Sequence, residues 1–569
     1  MLHQKVTAFS FTLLVLYLVI LSCNDNAAPP GDKKYIVTVD KMDEAASASI
    51  RQVLEFSVKH GGKIDDSTGL QLTAVVNRFY SDHDFKNIWS KKEKWQPLAD
   101  SLFQFIKEAE LYGLFPKDYH LRKLNTLKNV LDTDSIKRMD AVLWSKADVI
   151  LTDACLHIIK DLKYGRIRQD SAALANDTST LAKSLLSMQQ SLMAQNTFTN
   201  FLNKLQPQHK GYWELKKGIK RFVDSMDRRA YTYITYPYKK NDAKDSLLFI
   251  KTLQKRLSES KCISFTNKLP DSTQLDSSIK KYQKQKAMKL DGKVSTALIK
   301  SLNNSDPERF KRIAITLDRY KILSDSMPEK YIWVNLPGYY LELWDHDTLV
   351  LVSKVICGKP DTRTPLLTSA ISDMVIYPTW TVPTSIIAKQ YLPKLKNNPN
   401  YLSRLGLKLV TEKGEAVDAG SINWSKYSKG IPYKVMQSSG DDNALGVMKF
   451  NFDNPYAVYL HDTNQRYLFK NASRALSHGC VRVQEWDKLA MYIARNDSMN
   501  LKLGDTLRYT TDSIHNWLAE KKHKRIVVKN QLPLFIAYFS CEGKDGKIKF
   551  YEDIYGEDKA LREKYFSDK

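Results

Sequence analysis

The hydrophobic pattern changes in the middle of the chain, and this change limits the possible folds more than any other feature. Up to about residue 321, apolar residues recur every three or four positions, as in amphipathic helices. From Ile332 onward they alternate with polar residues, and residues 349–352 form a continuous apolar run, which indicates β-strands. The sequence therefore predicts a multidomain α+β protein with a mostly helical amino-terminal part and a β-rich carboxy-terminal part.

Two helical regions are predicted before this change. In residues 37–240, apolar side chains recur at helical spacing from Leu98 to Ala109, and Gly113 with Pro116 predicts the end of that helix. In residues 247–304, three apolar faces predict three short amphipathic helices. A chain of 569 residues is long enough for three or four domains of this kind.

The β-rich part is predicted to span residues 330–510, with one interruption. Between residues 389 and 441 the alternation gives way to Lys-, Asn- and Gly-rich sequence, which indicates an insertion. In the carboxy-terminal extension, residues 511–569, the apolar run 534–539 and a second run at 547–550 flank a polar turn. This arrangement predicts a β-hairpin.

The chemically most specific pattern surrounds Cys480, which lies nineteen residues after His461. A thiol reacts as the thiolate, so a neighbouring imidazole must lower its pKa or accept its proton. Gly479 allows a substrate carbonyl to approach the backbone, so the N–H groups of Gly479 and Cys480 are candidate oxyanion donors. Arg482 adds a permanent positive charge. Together these residues predict a cysteine nucleophile with its base.

Two simpler interpretations compete with this one. Cys480 alone is compatible with a small apolar side chain that fills a core. His461, His478 and Cys480 are also possible zinc ligands, but only three such donors cluster and no CxxC pattern occurs. The complete order SHGCVR at residues 477–482 after an upstream histidine favours catalysis, so we expect neither a metal nor a cofactor.

These residues resemble the active-site signature of the L,D-transpeptidases, whose YkuD-type catalytic domain cross-links peptidoglycan. The matching segments are His461-Asp462-Thr463 and the SHGCVR run. Residues 331–337 and 355–365 resemble further blocks of the same domain. Residues 377–383 and 442–446 are similar to the large YcbB-like subgroup.

The resemblance also implies a domain organisation. Residues 37–240 would form a helical scaffold domain, and residues 247–304 would form a three-helix peptidoglycan-binding-like domain. Residues 330–510 would form a β-sandwich catalytic domain, in which residues 389–441 would be a capping insertion over the active site. Residues 511–569 would be the extension typical of the subgroup.

The family's chemistry assigns a role to each matching residue. Cys480 would attack a donor tetrapeptide stem between meso-diaminopimelate and D-Ala, release D-Ala, and hold a thioester that an acceptor amine resolves into a 3-3 cross-link. His461 would carry the proton, with its ring oriented by the backbone carbonyl of Asp462, where many members have Gly or Ser. The family further implies acylation of Cys480 by carbapenems. Pocket-shaping roles would fall to Ser477, His478, Gly479 and Arg482.

The amino terminus resembles a lipoprotein signal. The apolar residues 9–21 are too few for a membrane span of about 20 residues, so a cleaved signal over residues 1–23 is expected. Cys23 ends a Leu-Ser-Cys box like the one that lipoprotein processing acylates, and residues 24–36 form a linker. This box predicts a lipid anchor on the periplasmic face, but it does not identify the membrane leaflet. The alternative is a plain secretory signal.

Charge and cysteine content add weaker constraints. The 87 basic and 63 acidic residues give a net charge of +24, which in a cytoplasmic protein would suggest nucleic acid. Export argues against nucleic acid and favours attraction to an anionic wall polymer or lipid headgroups, although a merely solvated basic surface fits equally well. Four cysteines remain as possible disulfide partners or buried thiols, without a predicted pairing: Cys155, Cys262, Cys357 and Cys541.

Three functions are compatible with these observations. The favoured one is a peptidoglycan L,D-transpeptidase that acts in cell wall biogenesis. A catalytically weak peptidoglycan-binding lipoprotein is the second. The third is an L,D-carboxypeptidase or exchange enzyme, in which water or a D-amino acid resolves the thioester. The intact signature around Cys480 favours catalysis, but the sequence does not identify the acceptor.

Overall fold

The computed structural model describes residues 35–167, 176, 178–195, 198–238, 241–324, 326–501 and 509–567. The predicted signal, Cys23 and nearly all of the linker therefore lie outside the described residues. The chain separates into two compact units, of which the first ends at Pro207 and the second runs from Gln208 to Asp568. Within the described residues, every helix is too short or too polar to cross a bilayer.

The first unit is helical and is built around one long buried helix. That helix, α6, begins after Asp140, whose carboxylate accepts the Val142 N–H at 3.1 Å and so caps the helix. Its neighbours contribute Phe79, Tyr80 and Trp89 to the same core. The elements are α1 (Met42–Lys59), β1 (Lys63–Asp65), β2 (Thr68–Gly69), α2 (Thr73–Ser81), β3 (Ser90–Lys91), β4 (Lys94–Trp95), α3 (Pro97–Lys107), α4 (Leu121–Thr133), α5 (Ser135–Arg138), α6 (Ala141–Lys163), α7 (Thr180–Gln195) and α8 (Phe198–Leu205).

The second unit begins with five helices. Three of them enclose a small core of their own that includes Leu253, Tyr282 and Leu298, at the positions predicted for a three-helix domain. The first helix packs instead on a β-hairpin near the carboxy terminus, so this compact unit begins well before residue 240, the expected end of the scaffold. The helices are α9 (Lys210–Ser225), α10 (Ala243–Glu259), α11 (Ser272–Gln285), α12 (Thr296–Leu302) and α13 (Asp306–Ile322).

The remaining chain is β-rich, with short helices between the strands. Alternation is clear in the strand of residues 448–452, where Met448, Phe450 and Phe452 are buried and Lys449 with Asn451 occupy the opposite face. The elements are β5 (Lys330–Asn335), β6 (Tyr340–Asp345), β7 (Thr348–Gly358), β8 (Leu367–Ile376), β9 (Trp380–Thr381), α14 (Thr384–Ile386), α15 (Leu392–Leu395), β10 (Leu407–Val410), β11 (Lys434–Gln437), β12 (Met448–Phe452), β13 (Leu460–His461), β14 (Ala475–Ser477), β15 (Val481–Val483), α16 (Trp486–Met499), α17 (Thr511–Ala519), β16 (Lys524–Ala537), β17 (Cys541–Lys544), β18 (Lys547–Phe550) and α18 (Glu557–Tyr565).

Eight of these strands form a closed ring, in the order β7-β15-β13-β12-β8-β16-β5-β6 and back to β7, with β14 paired to β7 as well. The α+β class predicted from the sequence is confirmed. We expected the strands to form a β-sandwich of two separate sheets, but their hydrogen bonds continue around a closed ring. The ring closes because β7 is eleven residues long. Its first part pairs with β6, and its last residues pair with β15 and β14.

The carboxy-terminal extension contributes a strand to this ring. The run 534–539 was expected to form a hairpin with residues 547–550, and this prediction is wrong. Residues 534–537 belong to β16, which pairs with β5 on one side and β8 on the other, while β17 is the hairpin partner of β18. A long apolar strand is buried by neighbours on both sides, and local sequence does not identify those neighbours.

The expected insertion is a separate small structure. Strands β9, β11 and β10 form a three-stranded sheet, and short helical turns between β9 and β10 cover one side of it. The core of this sheet extends from Val382 to Val435 and contains Trp424, so the insertion begins a few residues earlier than residue 389.

Candidate active site

The parallel strands β13 and β15 bring His461 and Cys480 to neighbouring positions. Leu460 pairs with Val481 and His461 with Arg482, and the Val481 N–H donates to the Tyr459 carbonyl at 3.1 Å. Cys480 is the residue just before β15, and His461 is the last residue of β13. Cys480 thus lies beside Tyr459, and strand alternation puts the Cys480 and His461 side chains on one face of the two strands.

The loop that carries Cys480 has a backbone conformation that favours glycine. Gly479 has a φ of +128°, where a residue with a Cβ would be strained. Ser477 Oγ donates to the Cys480 carbonyl at 2.6 Å and accepts the Gly479 N–H at 3.2 Å. One of the two expected oxyanion donors is thus engaged inside the loop, which leaves the Cys480 N–H to face a developing oxyanion.

A second loop, residues 358–364, is hydrogen-bonded to the loop that carries Cys480. Thr364 Oγ1 donates to the Gly479 carbonyl at 2.7 Å and accepts the Gly358 N–H at 2.9 Å. Tyr555, from the carboxy-terminal extension, donates its hydroxyl to the Gly358 carbonyl at 2.7 Å and accepts the Thr364 N–H at 3.1 Å. Sequence reasoning missed Tyr555, because its partners lie almost two hundred residues away.

Cys480 rests as a neutral thiol. Burial raises its pKa, whereas hydrogen bonds from the main chain and hydroxyl of Tyr459 and the charges of Lys449 and Arg482 act in the opposite direction. The thiol thus lies among groups that stabilise a negative sulfur, although burial still dominates. Such a thiol needs a proton acceptor before it can react.

His461 has no proton on one ring nitrogen and can therefore accept that of the thiol, although its surroundings make it a weak base. The side chain is only 4% exposed, and burial, together with the positive charges of Arg482 and Lys449, lowers the pKa of His461 to about 3. The backbone at Asp462 and Leu445 weakly favours the protonated ring, although the buried Nδ1 atom lacks a hydrogen-bond partner of good geometry among the described residues. The imidazole is therefore neutral at physiological pH.

Two family models match the chain. One describes an L,D-transpeptidase catalytic domain and matches residues 329–500, which include His461 and Cys480. The other describes a scaffold domain and matches residues 74–219.

The chain contains a YkuD-type L,D-transpeptidase catalytic domain.

Single relatives agree with this assignment over part of the chain. A Haemophilus influenzae protein whose name assigns it provisionally to the L,D-transpeptidases is 34% identical over 251 residues, which are 44% of this chain and 49% of the relative. The chain thus spans about half the length of that relative.

Solved structures give a much weaker likeness. An Enterococcus faecium L,D-transpeptidase catalytic domain acylated by ertapenem matches 37% of this chain and 99% of its own, with 12% identity and a TM-score of 0.16. An L,D-transpeptidase from Stackebrandtia nassauensis matches 46% and 91%, with 14% identity and a TM-score of 0.15. Such low scores carry no weight for the fold or the site.

Asp462 has a structural role in this YkuD domain. Its buried carboxylate accepts the Val447 N–H at 3.0 Å and binds Arg466 through both oxygens, at 2.6 and 3.0 Å. A Cβ added at Gly446 would lie 2.2 Å from the same carboxylate, so this position needs glycine. Where many family members have Gly or Ser, the aspartate therefore anchors the loop that leads into β12.

Arg482 is a partly buried cation without an acidic partner. It donates to Gln465 Oε1 at 3.2 Å, and within the described ranges no carboxylate lies within 4 Å of it and its Nε atom has no acceptor. Since a buried cation is costly when unpaired, Arg482 retains capacity for an anionic partner.

The insertion contacts two residues close to Cys480. Gln390 lies against His478 Nε2, on the exposed side of the cysteine loop. Trp380 hydrogen-bonds with the Tyr459 hydroxyl, next to the thiol. His478 thus joins the insertion to the SHGCVR run.

Tyr459 and Lys449 complete the site, and sequence reasoning did not assign a role to either. The Lys449 ammonium lies 4.0 Å from the centre of the Tyr459 ring, and Lys449 pairs with His461 across β12 and β13. The edge of the His461 ring approaches Tyr459, with 5.6 Å between ring centres. Strand alternation offered a clue, because Tyr459 lies two residues before His461 and so shares its face.

Four further cysteines lie among the described residues. Cys155, Cys262, Cys357 and Cys541 are buried free thiols, and burial raises the pKa of each. In the part of the chain that the structure describes, no three His, Cys, Asp or Glu side chains are grouped as metal ligands.

Proposed function

We propose that this chain is a peptidoglycan L,D-transpeptidase that forms 3-3 cross-links, with Cys480 as the nucleophile and His461 as its base. The observation that carries the proposal is the register of β13 and β15, two directly paired strands, of which one carries a neutral, buried imidazole and the other follows a neutral, partly buried thiol. These two groups have the protonation states that a cysteine acyl transfer requires.

The first half of the reaction makes a thioester. His461 accepts the proton of Cys480, and the sulfur attacks the carbonyl between meso-diaminopimelate and D-Ala of a donor tetrapeptide. The Cys480 N–H stabilises the oxyanion that forms. When the tetrahedral intermediate collapses, the C–N bond breaks and His461 returns the proton to the leaving amine of D-Ala.

The second half transfers the acyl group. An acceptor amine loses a proton to His461 and attacks the thioester carbonyl, and the sulfur leaves as a thiolate that regains its proton from His461. Tyr459, Lys449 and Arg482 stabilise the thiolate in both halves, because all three act on Cys480 in that direction. Arg482 is further proposed to bind a stem-peptide carboxylate.

The capping insertion is proposed to decide between an amine and water as acceptor. Two contacts support this proposal, that of Gln390 with His478 and that of Trp380 with Tyr459, which lies beside the thiol. A cover that excludes water lengthens the life of a thioester and favours an amine.

The decisive experiment is incubation of the purified protein with a disaccharide-tetrapeptide, followed by mass spectrometry of the products and the intact protein. A 3-3 linked dimer with loss of D-Ala, absent in Cys480→Ala, is expected. Tripeptide alone would replace the proposal with an L,D-carboxypeptidase. Neither a product nor a covalent adduct would favour a catalytically weak wall-binding protein.

A carbapenem supplies an independent readout of the thiol. We expect one drug mass on the intact wild-type protein and none on Cys480→Ala. The variant Cys357→Ala is the matched control, because Cys357 is a buried thiol of the same sheet. Labelling of Cys480→Ala would place the reactive sulfur elsewhere and overturn the assignment.

Membrane attachment is a separate proposal. It rests on the Leu-Ser-Cys box that ends at Cys23, by which we expect acylation and anchoring at the periplasmic face. Cys23→Ala should shift the protein from the membrane fraction to the soluble envelope fraction, which fractionation of cells that express the variant measures. An unchanged membrane fraction would contradict the lipid anchor.

A further inference from the structure

A cavity lies in the unit that contains the catalytic domain, and none of the proposed catalytic residues lines it. Its volume is about 670 Å³, within the range of about 300–1,000 Å³ that is usual for ligand sites. The walls come from the segment before α10, from α12 and α13, from the β17–β18 hairpin and from α18. The three-helix domain and the carboxy-terminal extension thus share one pocket.

The charges on its walls largely neutralise one another. Five basic and four acidic side chains line the cavity. Arg562 binds Glu308 through two contacts, at 2.9 and 3.0 Å, and Lys300 pairs with Glu552 across the rim. A ligand that fits these walls needs hydrogen-bonding groups more than a net charge of its own.

Aromatic side chains supply flat apolar surface between the polar groups. Tyr233, Tyr236, Phe550 and Tyr551 line the cavity. Guanidinium groups of the cavity wall hold two of these rings in place, because Arg562 lies 3.7 Å from the centre of Tyr233 and Arg309 lies 5.5 Å from that of Phe550. Rings that are held in place present a surface to a ligand without a large entropy cost.

We propose that this cavity binds an uncharged oligosaccharide. Sugar rings have apolar faces that pack on aromatic side chains and hydroxyl groups that hydrogen-bond to paired ions, and the walls offer both kinds of partner. A charged peptide fits less well, since it would have to break ion pairs such as Arg562–Glu308 and leave buried charges without partners. The proposal goes beyond the transpeptidase reaction and does not depend on Cys480.

The test uses the purified protein and calorimetric titration with two neutral probes, an N-acetylglucosamine tetramer and cellotetraose. Thr296 is an exposed residue of the cavity wall at the start of α12, so Thr296→Trp should fill the cavity without removing a core contact. We expect this variant to weaken binding at least tenfold. Thr273→Trp is the matched control, because Thr273 is equally an exposed threonine in the first turn of a helix, α11, and lies outside the cavity.

Each outcome decides the proposal. Binding of either probe that Thr296→Trp weakens and Thr273→Trp preserves supports it, and a preference for the acetylated probe identifies an amino-sugar polymer as the source. No binding of either probe, or equal binding by both variants, overturns it. Binding of a stem tetrapeptide alone at this cavity also overturns it. Turnover of the tetrapeptide substrate should be the same in both variants, so the result is independent of the proposed catalysis.

Discussion

One buried carboxylate of the helical unit and two buried groups of the catalytic domain differ in how fully they are hydrogen-bonded. In the helical unit, the Asp148 carboxylate accepts the Tyr80 hydroxyl at 2.6 Å and the N–H groups of Ile88 and Trp89, each at 2.9 Å. In the catalytic domain, His461 Nδ1 and Arg482 Nε are buried without a partner among the described residues. A fully paired buried group holds a fold together, whereas an incompletely paired one leaves capacity for a substrate.

The strongest test of this contrast replaces the base. His461→Gln should lower transpeptidase turnover about a thousandfold, because general base catalysis contributes roughly 10²–10⁴ in rate. The midpoint of thermal unfolding should change little, since the ring makes few hydrogen bonds that stabilise the fold. Turnover is measured by release of D-Ala. A variant that retains a tenth of the wild-type rate would remove His461 from the reaction.

The opposite result is expected for the scaffold. Asp148→Ala leaves two N–H groups and one hydroxyl buried without an acceptor, so we expect a loss on the order of 3 kcal/mol in the free energy of unfolding. Urea denaturation followed by circular dichroism measures it. Asp82→Ala is the control, because that carboxylate forms a partly exposed ion pair with Arg78. Equal losses in the two variants would contradict a special role for the Asp148 contacts.

The pH dependence of the free energy of unfolding gives a second comparison of His461 with Asp148. Because the folded state lowers the pKa of His461 from 6.5 to about 3, the folded protein binds fewer protons than the unfolded chain. Its contribution is present above pH 6.5 and is lost as the pH falls toward 3. We expect wild type to lose about 2 kcal/mol more than His461→Asn between pH 7 and pH 5.

Asp148 acts in the opposite direction, so the comparison with His461→Asn is necessary. Burial raises the pKa of Asp148 to about 6, and its contribution weakens as the pH rises from about 4 to 6. This contribution is the same in wild type and variant and cancels in their difference. Parallel curves for the two proteins would show that His461 is not held neutral by the fold.

The smallest expected effect concerns the hydroxyl beside the thiol. Tyr459→Phe removes one hydrogen bond to Cys480 and keeps the ring that packs near His461. Turnover should fall about tenfold, as expected for the loss of one hydrogen bond of about 1.4 kcal/mol. The pH at which the thiol reacts with iodoacetamide should rise. An unchanged profile would limit Tyr459 to packing.

Local sequence was sufficient for some parts of the fold and of the site. Helical spacing predicted α3 and the three helices α10, α11 and α12, because each buries one face against close neighbours. The SHGCVR run and His461 identified two segments that the structure brings together, since they belong to strands that pair directly.

Other parts depend on contacts between distant residues, which local patterns do not encode. Closure of the ring requires the ends of β7 and β16 to find partners far along the chain. Lys449 reaches the site through its register with His461. Tyr555 acts on the site through the loop 358–364, which is hydrogen-bonded both to Tyr555 and to the loop that carries Cys480. Hydrophobic periodicity identifies these strands but not their neighbours.

The position of β16 has a practical consequence for recombinant expression. The catalytic family model ends at residue 500, yet residues 524–537 occupy the place between β8 and β5. A fragment truncated at residue 500 would expose two unpaired strand edges, and exposed edges promote aggregation. The smallest fragment worth crystallising therefore extends beyond β16 and includes Tyr555, almost to the end of the chain.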